Sequence, residues 1–321
     1  MTSFSANYDP TPLGPPPDPS LPFFAYGSLR PGRLAFVQLA KRVAARWEYD
    51  LAGFEIRIRD GLPLLAPGRR GVAGTVLTFD PSAAASAYEA IGAFEPAEQY
   101  IWEILDVGGT PAWACLGREP DLGVESDPVH EWSEAGDPAF AYGLPEVGRI
   151  ARRYLCLPQT YDDTDWQQFF GLQSAYLLVW SLLERVASFR YGTVAGPNKR
   201  VSALGQEPEV KSLVVELGAP SRSAYRSISD SRFPDRTIKI ARDGRDALRY
   251  WYQVRSNIVH RGKAYQPDLH LLRESLVDTH DLTATLLGRW VGGLADAWGE
   301  DVGPLRPPLD SNRPTLLDGV N

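Results

Sequence analysis

The spacing of glycine and proline changes character once along this 321-residue chain, and that change limits what it can fold into. Residues 21–117 carry short apolar runs set apart by Gly and Pro: AYGSL, LAGFEIRI, GLPLLAPG, VAGTVLTF, YIWEILDV and PAWACLG. That is strand-and-turn texture, with one helical interlude over PSAAASAYEAI, Pro81 to Ile91. From Leu172 to Tyr191 neither Gly nor Pro occurs, and WQQFFGLQSAYLLVWSLLERVASF spreads its apolar residues over a wide helical stripe. Two more helices are predicted: RDGRDALRYWYQVRSNIVHRG, closing at Gly262, and DLHLLRESLVDTHDLTATLLGRWV. The expectation is an α+β chain of two domains of different class, joined near residue 150.

The segmentation that follows has five parts. Residues 1–20 (TPLGPPPDPS within them) are proline-rich and expected to form a disordered or extended tail. Residues 21–117 form the strand-rich domain. Residues 118–157 are an acidic, loop-like linker with a short helix in DPAFAYGLPEVGRIARRYL. Residues 158–295 are the helical domain, and 296–321 a second disordered tail.

The apolar and charged fractions, 44% and 23%, are those of a soluble globular protein. Cys115 and Cys156 supply neither a disulfide framework nor a zinc-ligand spacing, no apolar run reaches membrane-span length, and the N-terminus lacks a signal-peptide pattern. A cytoplasmic protein without membrane association is expected. The net charge of −7 hides a basic stretch: residues 198–263 hold 14 basic and 7 acidic side chains. Such a stretch reads as a solvated face or as an electrostatic footprint for a phosphate-rich partner.

Residues 23–32 read FFAYGSLRPG, an apolar strand that breaks into Gly, Ser and Pro. Loops of this kind present backbone N–H groups to anionic ligands. Downstream come an expected helix (LAFVQLAKRVAA), the strand-like LAGFEIRI, the turn Gly61-Leu62-Pro63, the strand Val72 to Val76, and IGAFEPAEQY. This ordered set resembles the γ-glutamylcyclotransferase-like family, a small mixed β-barrel. The resemblance implies a catalytic acid/base at Glu95 and a substrate-carboxylate cradle at Tyr26, Gly27, Ser28 and Leu29, with Tyr100 walling the pocket. The implied substrate is a small γ-glutamyl amine or peptide, cyclised to 5-oxoproline with no cofactor. The sequence departs from the family pattern at Gly92, where an Asp is expected, and at Trp102, where an Arg is common. Glu89 and Glu98 are neighbouring carboxylates that stand as alternatives to Glu95.

In the helical half, YWYQVRSNIVHRGK places Arg255 and His260 with four residues between them, and Ser256 follows the arginine. This resembles the HEPN superfamily of helical bundles, whose ribonuclease members use an Arg–His motif without a metal. A neutral histidine takes the 2′-hydroxyl proton of RNA and an arginine neutralises the phosphate. The resemblance implies RNA as a possible partner and a homodimer through the helical domain. Glu184 is an acid that could face the cleft. His130, His270 and His280 show no metal-ligand spacing and read as solvated residues. The segment Gly192 to Lys199 lacks the G-K-[ST] of a phosphate loop. The non-catalytic alternative is a ligand-sensing dimerisation protein.

Overall fold

The computed structural model describes residues 10–124, 126–157, 166–192, 194–222, 225–229, 233, 235–239, 246–261, 268–299 and 302–306. It is a mixed α+β protein: a curled sheet together with several helices. The chain divides into two compact units, residues 1–138 with 184–200, and residues 139–183 with 201–321. No helix among the described residues is long and apolar enough to cross a membrane.

The first unit is built on seven strands: β1 (Phe23–Ala25), β2 (Val43–Leu51), β3 (Phe54–Arg59), β4 (Leu62–Pro67), β5 (Val72–Phe79), β6 (Tyr100–Val107) and β7 (Thr110–Gly117). The order is β2-β5-β1-β7-β4-β3, with β6 paired along β7. Hairpin pairs are antiparallel, as short Gly-containing turns require. Strand β7 also meets two strands in parallel, β1 at Phe23↔Trp113 and β4 at Leu65↔Leu116. Each of those contacts is a single pair, so the sheet opens between the end of β1 and the start of β4.

Helix α1 (Ala84–Phe94) covers the sheet, burying Ala87, Tyr88, Ile91 and Gly92. The core joins Phe23, Leu39, Leu64, Leu77, Tyr88, Ile91, Tyr100 and Trp113. Its aromatic rings meet edge-on, with Phe23–Tyr88, Phe79–Tyr88 and Tyr88–Trp102 centroids 6.3, 5.4 and 5.7 Å apart.

Two expectations for this unit are corrected. The helix read into LAFVQLAKRVAA is only a short 3₁₀ helix, Leu34–Gln38, after which Val43 already begins β2. Strand β2 is exposed along most of its length, so it shows none of the period-2 apolar signal that marks a half-buried strand. The proline-rich segment is also not a free tail from residue 10 onward. It runs extended across the end of α1: Leu13 donates to the Glu95 carbonyl (2.9 Å), Ala97 to the Thr11 carbonyl (2.8 Å), and Thr11 to the Glu98 carboxylate (3.0 Å). Trp102 and Trp113 donate indole N–H groups to Gly14 and Asp18 carbonyls, at 2.8 and 2.7 Å. Prolines lose little conformational freedom on docking, so a few such bonds hold the segment as a strap. Residues 1–9 lie outside the described residues.

The acidic stretch after β7 also packs rather than linking freely. Val129 pairs with Ile56, Trp132 is buried, and Glu134, 1% exposed, accepts the Leu34 N–H at 2.9 Å. Helix α2 (Leu144–Leu155) provides the short helix expected there.

The second unit holds α2, α4 (Pro197–Leu204) from Val201 onward, α5 (Pro208–Glu216), a two-stranded ribbon β8 (Ile228–Ser229) and β9 (Thr237–Ile238), α6 (Ala247–Arg261), α7 (Asp268–Trp290) and α8 (Leu294–Trp298). Helix α3 (Trp166–Tyr191) contributes to it up to Leu183, and its residues from Glu184 belong to the first unit. Helix α7 is buried on all sides from Leu271 to Thr283, although eight of those thirteen residues are polar. The charges compensate one another. Asp278 accepts from Arg222 (3.0 Å) and Tyr225 (2.7 Å), and Glu274 pairs with Arg222 (3.5 Å) and Arg306. His280, read from sequence as solvated, is fully buried with Nδ1 2.9 Å from Asp281. Asp281 in turn accepts the Leu305 N–H (2.8 Å), so residues 302–306 dock on the unit rather than forming a tail; residues 307–321 lie outside the described residues.

Candidate active site

The opening between β1 and β4 is where the FFAYGSLRPG loop sits. Its Gly27 carbonyl accepts the Arg30 N–H (3.0 Å) and its Ser28 carbonyl the Ala35 N–H (3.1 Å). The N–H groups of Gly27, Ser28 and Leu29 donate to no other group among the described residues. Glycine is required at 27 by close approach: a Cβ there would lie 2.8 Å from Pro63 Cγ. The loop's arginines point to structural partners. Arg30 pairs with Glu48 (3.1 Å) and Glu131 (3.0 Å), and Arg33 with Glu131 (3.0 Å) and Ser133 (2.7 Å).

Glu95 reaches the same place from the end of α1. It precedes Pro96, and a residue before proline is pushed out of the helical region. Its φ of −93° and ψ of 128° end the helix there. The resulting pocket, about 520 Å³ with its open mouth, is lined by Tyr26, Gly27, Ser28, Leu29, Pro63, Glu95, Tyr100 and Cys115. Tyr26, Gly27, Ser28, Leu29, Glu95 and Tyr100, singled out from the sequence, are thus brought to one cavity. Glu89 and Glu98 do not line it; Glu89 is exposed and Glu98 holds Thr11.

Burial pushes the Glu95 carboxyl up to about 8, and no hydrogen bond or ion pair offsets that among the described residues. Burial, then neighbouring groups that include Glu95, raises Tyr26, Tyr100 and the Cys115 thiol as well. Cys115 therefore stays a neutral thiol and is no nucleophile. The two phenols are tied down: Tyr26 donates to the Cys115 carbonyl (2.6 Å) and Tyr100 to the Pro63 carbonyl (3.0 Å). Both orient the walls and leave Glu95 as the group able to exchange a proton near neutrality. Among the described residues, no arginine or lysine lines the pocket.

Sequence reasoning missed one wall. Ser188 and Phe189 at the end of α3, and Gly192 just after it, also line the pocket. Arg185 anchors this segment on Asp137 (2.7 Å) and on the Asp60 carbonyl (2.5 Å), and its guanidinium lies over the Phe189 ring at 4.5 Å. Nothing in the local sequence signals a contact with residues more than 70 positions earlier.

The two departures at Gly92 and Trp102 share a structural cause. A Cβ at residue 92 would sit 2.2 Å from the Gly14 carbonyl oxygen, the same atom that accepts the Trp102 indole N–H. Both positions are shaped around the strap, which also holds the Glu95 carbonyl.

In the second unit, Arg255 lies on α6 with its guanidinium 6.0 Å from the Tyr252 ring centre, and Ser256 is buried. His260 lies on the same helix, but its side chain falls outside the described residues. A separate pocket, about 810 Å³ with its open mouth, lies between α3, α6, α7 and β8 and is lined by Val254, Asn257 and Ile258 of α6, not by Arg255. Glu184 counts with the first unit and does not share that cavity.

No family model matches this chain, and no curated protein matches it. Among solved structures, the crystal structure of the uncharacterized protein PH0828 from Pyrococcus horikoshii is similar at 18% identity and a TM-score of 0.29, covering 35% of this chain and 86% of that one.

Proposed function

We propose that the first unit is a γ-glutamylcyclotransferase-like enzyme that converts a γ-glutamyl amine or peptide to 5-oxoproline and the free amine. The observation that carries this reading is the pairing, in one pocket, of a part-buried carboxyl with no counter-ion among the described residues and a loop with unspent main-chain donors. The substrate α-carboxylate docks on the N–H groups of Gly27, Ser28 and Leu29. Its α-amine faces Glu95, which takes one proton as the nitrogen attacks the γ-carbonyl carbon. A C–N bond forms to close the five-membered ring. The original amide C–N bond breaks, and Glu95 returns the proton to the leaving nitrogen. A carboxyl that titrates near 8 is matched to an ammonium donor, so the transfer runs close to balance in both directions. Holding the chain folded on itself supplies the rest of the acceleration.

Incubation with a panel of γ-glutamyl amines should release 5-oxoproline. The rate should rise with pH as Glu95 ionises, and Glu95→Gln should lower kcat by roughly 10²–10⁴-fold. Absence of 5-oxoproline across a broad panel refutes the assignment.

For the second unit the alternative reading is an HEPN-type bundle with ribonuclease chemistry. It is supported by Arg255, whose guanidinium has no carboxylate partner among the described residues and remains available to a phosphate. Toxicity on expression that His260→Ala removes would support it, and equal growth with intact RNA would refute it.

A further inference from the structure

Strand β2 forms a ladder with β5 from Val43 to Leu51, yet it buries almost nothing. It is the edge of the sheet, and Ala44, Ala45, Arg46, Trp47, Glu48 and Asp50 are all exposed, so both of its faces meet solvent. An edge of this length presents a row of unpaired main-chain donors and acceptors. The usual protections are thin here: the strand has no proline and no lysine, and its one irregularity lies at the far end, between Val43 and Ala45.

The side chains on that edge are self-complementary. If β2 meets a second β2 antiparallel with Trp47 opposite Trp47, then Arg46 lies across from Glu48 of the other copy, and the two-fold axis makes the pair twice. Ala45 lies across from Tyr49. Neighbouring registers are worse. Centring on Arg46 or Glu48 sets like charges face to face, centring on Tyr49 opposes Glu48 with Asp50, and centring on Ala45 meets the bulge. Arg46 is free for this use, and Glu48 would share a carboxylate that already meets Arg30 and Thr75. Arg46 has no ion pair among the described residues and rests 6.0 Å from the Phe36 ring. Glu48 keeps 69% of its side chain exposed while touching Arg30 and Thr75. Trp47, 40% exposed, would cover its counterpart at the axis.

We propose that β2 pairs antiparallel with β2 of a second copy of this chain about a two-fold axis at Trp47, joining two sheets edge to edge. This interface lies on the first unit, apart from the helical contact that the sequence suggested.

Sedimentation velocity over a concentration series, on the wild type, Arg46→Glu, Glu48→Arg and the double exchange, tests the register. The wild type should show a monomer–dimer equilibrium. Each single reversal should raise the dissociation constant by roughly tenfold, because two attractive cross-strand pairs become repulsive. The double exchange should restore it. Hydrogen exchange on the wild type should show protection of the outward amides of residues 43–51 rising with concentration. A monomer at every concentration, a dimer indifferent to the single reversals or not rescued by the double, or a dimer whose β2 amides stay unprotected overturns the proposal.

Discussion

Replacing Glu95 by Gln should stabilise the protein at neutral and alkaline pH, and the size of the gain follows from its titration. In the unfolded chain the carboxyl ionises at an ordinary 4.5, and in the folded protein burial holds it near 8. Between those values the folded state binds more protons, so stability falls as pH rises. Below pH 4.5 both states are protonated and the group costs nothing. The penalty grows through the window to about 1 kcal/mol at pH 5, about 3 at pH 7 and about 5 by pH 9. Glutamine keeps the shape and removes the charge. The urea-unfolding free energy of Glu95→Gln minus that of the wild type should therefore climb by about 2 kcal/mol from pH 5 to pH 7. All other titrating groups cancel in the difference. Carbon-13 NMR titration of glutamate carboxyls, with the missing resonance assigned from the variant, reads the same pKa directly. Parallel stability curves, or a carboxyl titrating at an ordinary value, would show that Glu95 faces water and would remove the basis for a proton shuttle.

Gly92→Ala should displace the strap, since its Cβ falls 2.2 Å from the Gly14 oxygen. We expect a loss of about 1–3 kcal/mol and faster proteolysis within residues 10–18, whereas Gly136→Ala, with open space around it, should change neither. Tyr26→Phe should cost about 1–2 kcal/mol in urea unfolding by stranding the buried Cys115 carbonyl. Asp278→Ala should cost roughly 3–5 kcal/mol, because Arg222, Tyr225 and Arg306 lose a shared partner in a buried setting. Equal melting of wild type and variant would show that the cluster is hydrated.

The helices were legible where glycine and proline punctuate them: α3 ends at such a break, before Gly192, and α6 and α7 begin and end close to others, although α3 runs through Gly171. Strand β2 was not, because a strand wetted on both faces has no alternation to display. The strap was misread because a proline-rich stretch looks the same whether free or docked, and the docking partners, Glu95 and Trp102, lie more than 80 residues away. The polar burial of α7 was hidden for a related reason. Arg273, Asp278 and His280 belong inside only because Arg222, Tyr225, Leu155 and Asp281 meet them there. At the pocket, the loop and Glu95 were singled out by the ordered motifs that carry the resemblance, while the Phe189 wall had no such motif.

The dispersal of the pocket along the chain has a consequence for its biosynthesis. Its parts come from residues 23–29, 62–63, 94–100, 115 and 188–192, with the strap at 11–14 behind them. A ribosome that has released only the seven strands has made the cradle and the acid but not the side that shuts them in. The nascent front unit must wait, part-built and with its apolar cleft open, until residues near 200 emerge. Translation thus delays the moment at which this carboxyl is shut away from water, and in a fragment ending at residue 117 it should titrate closer to its ordinary value.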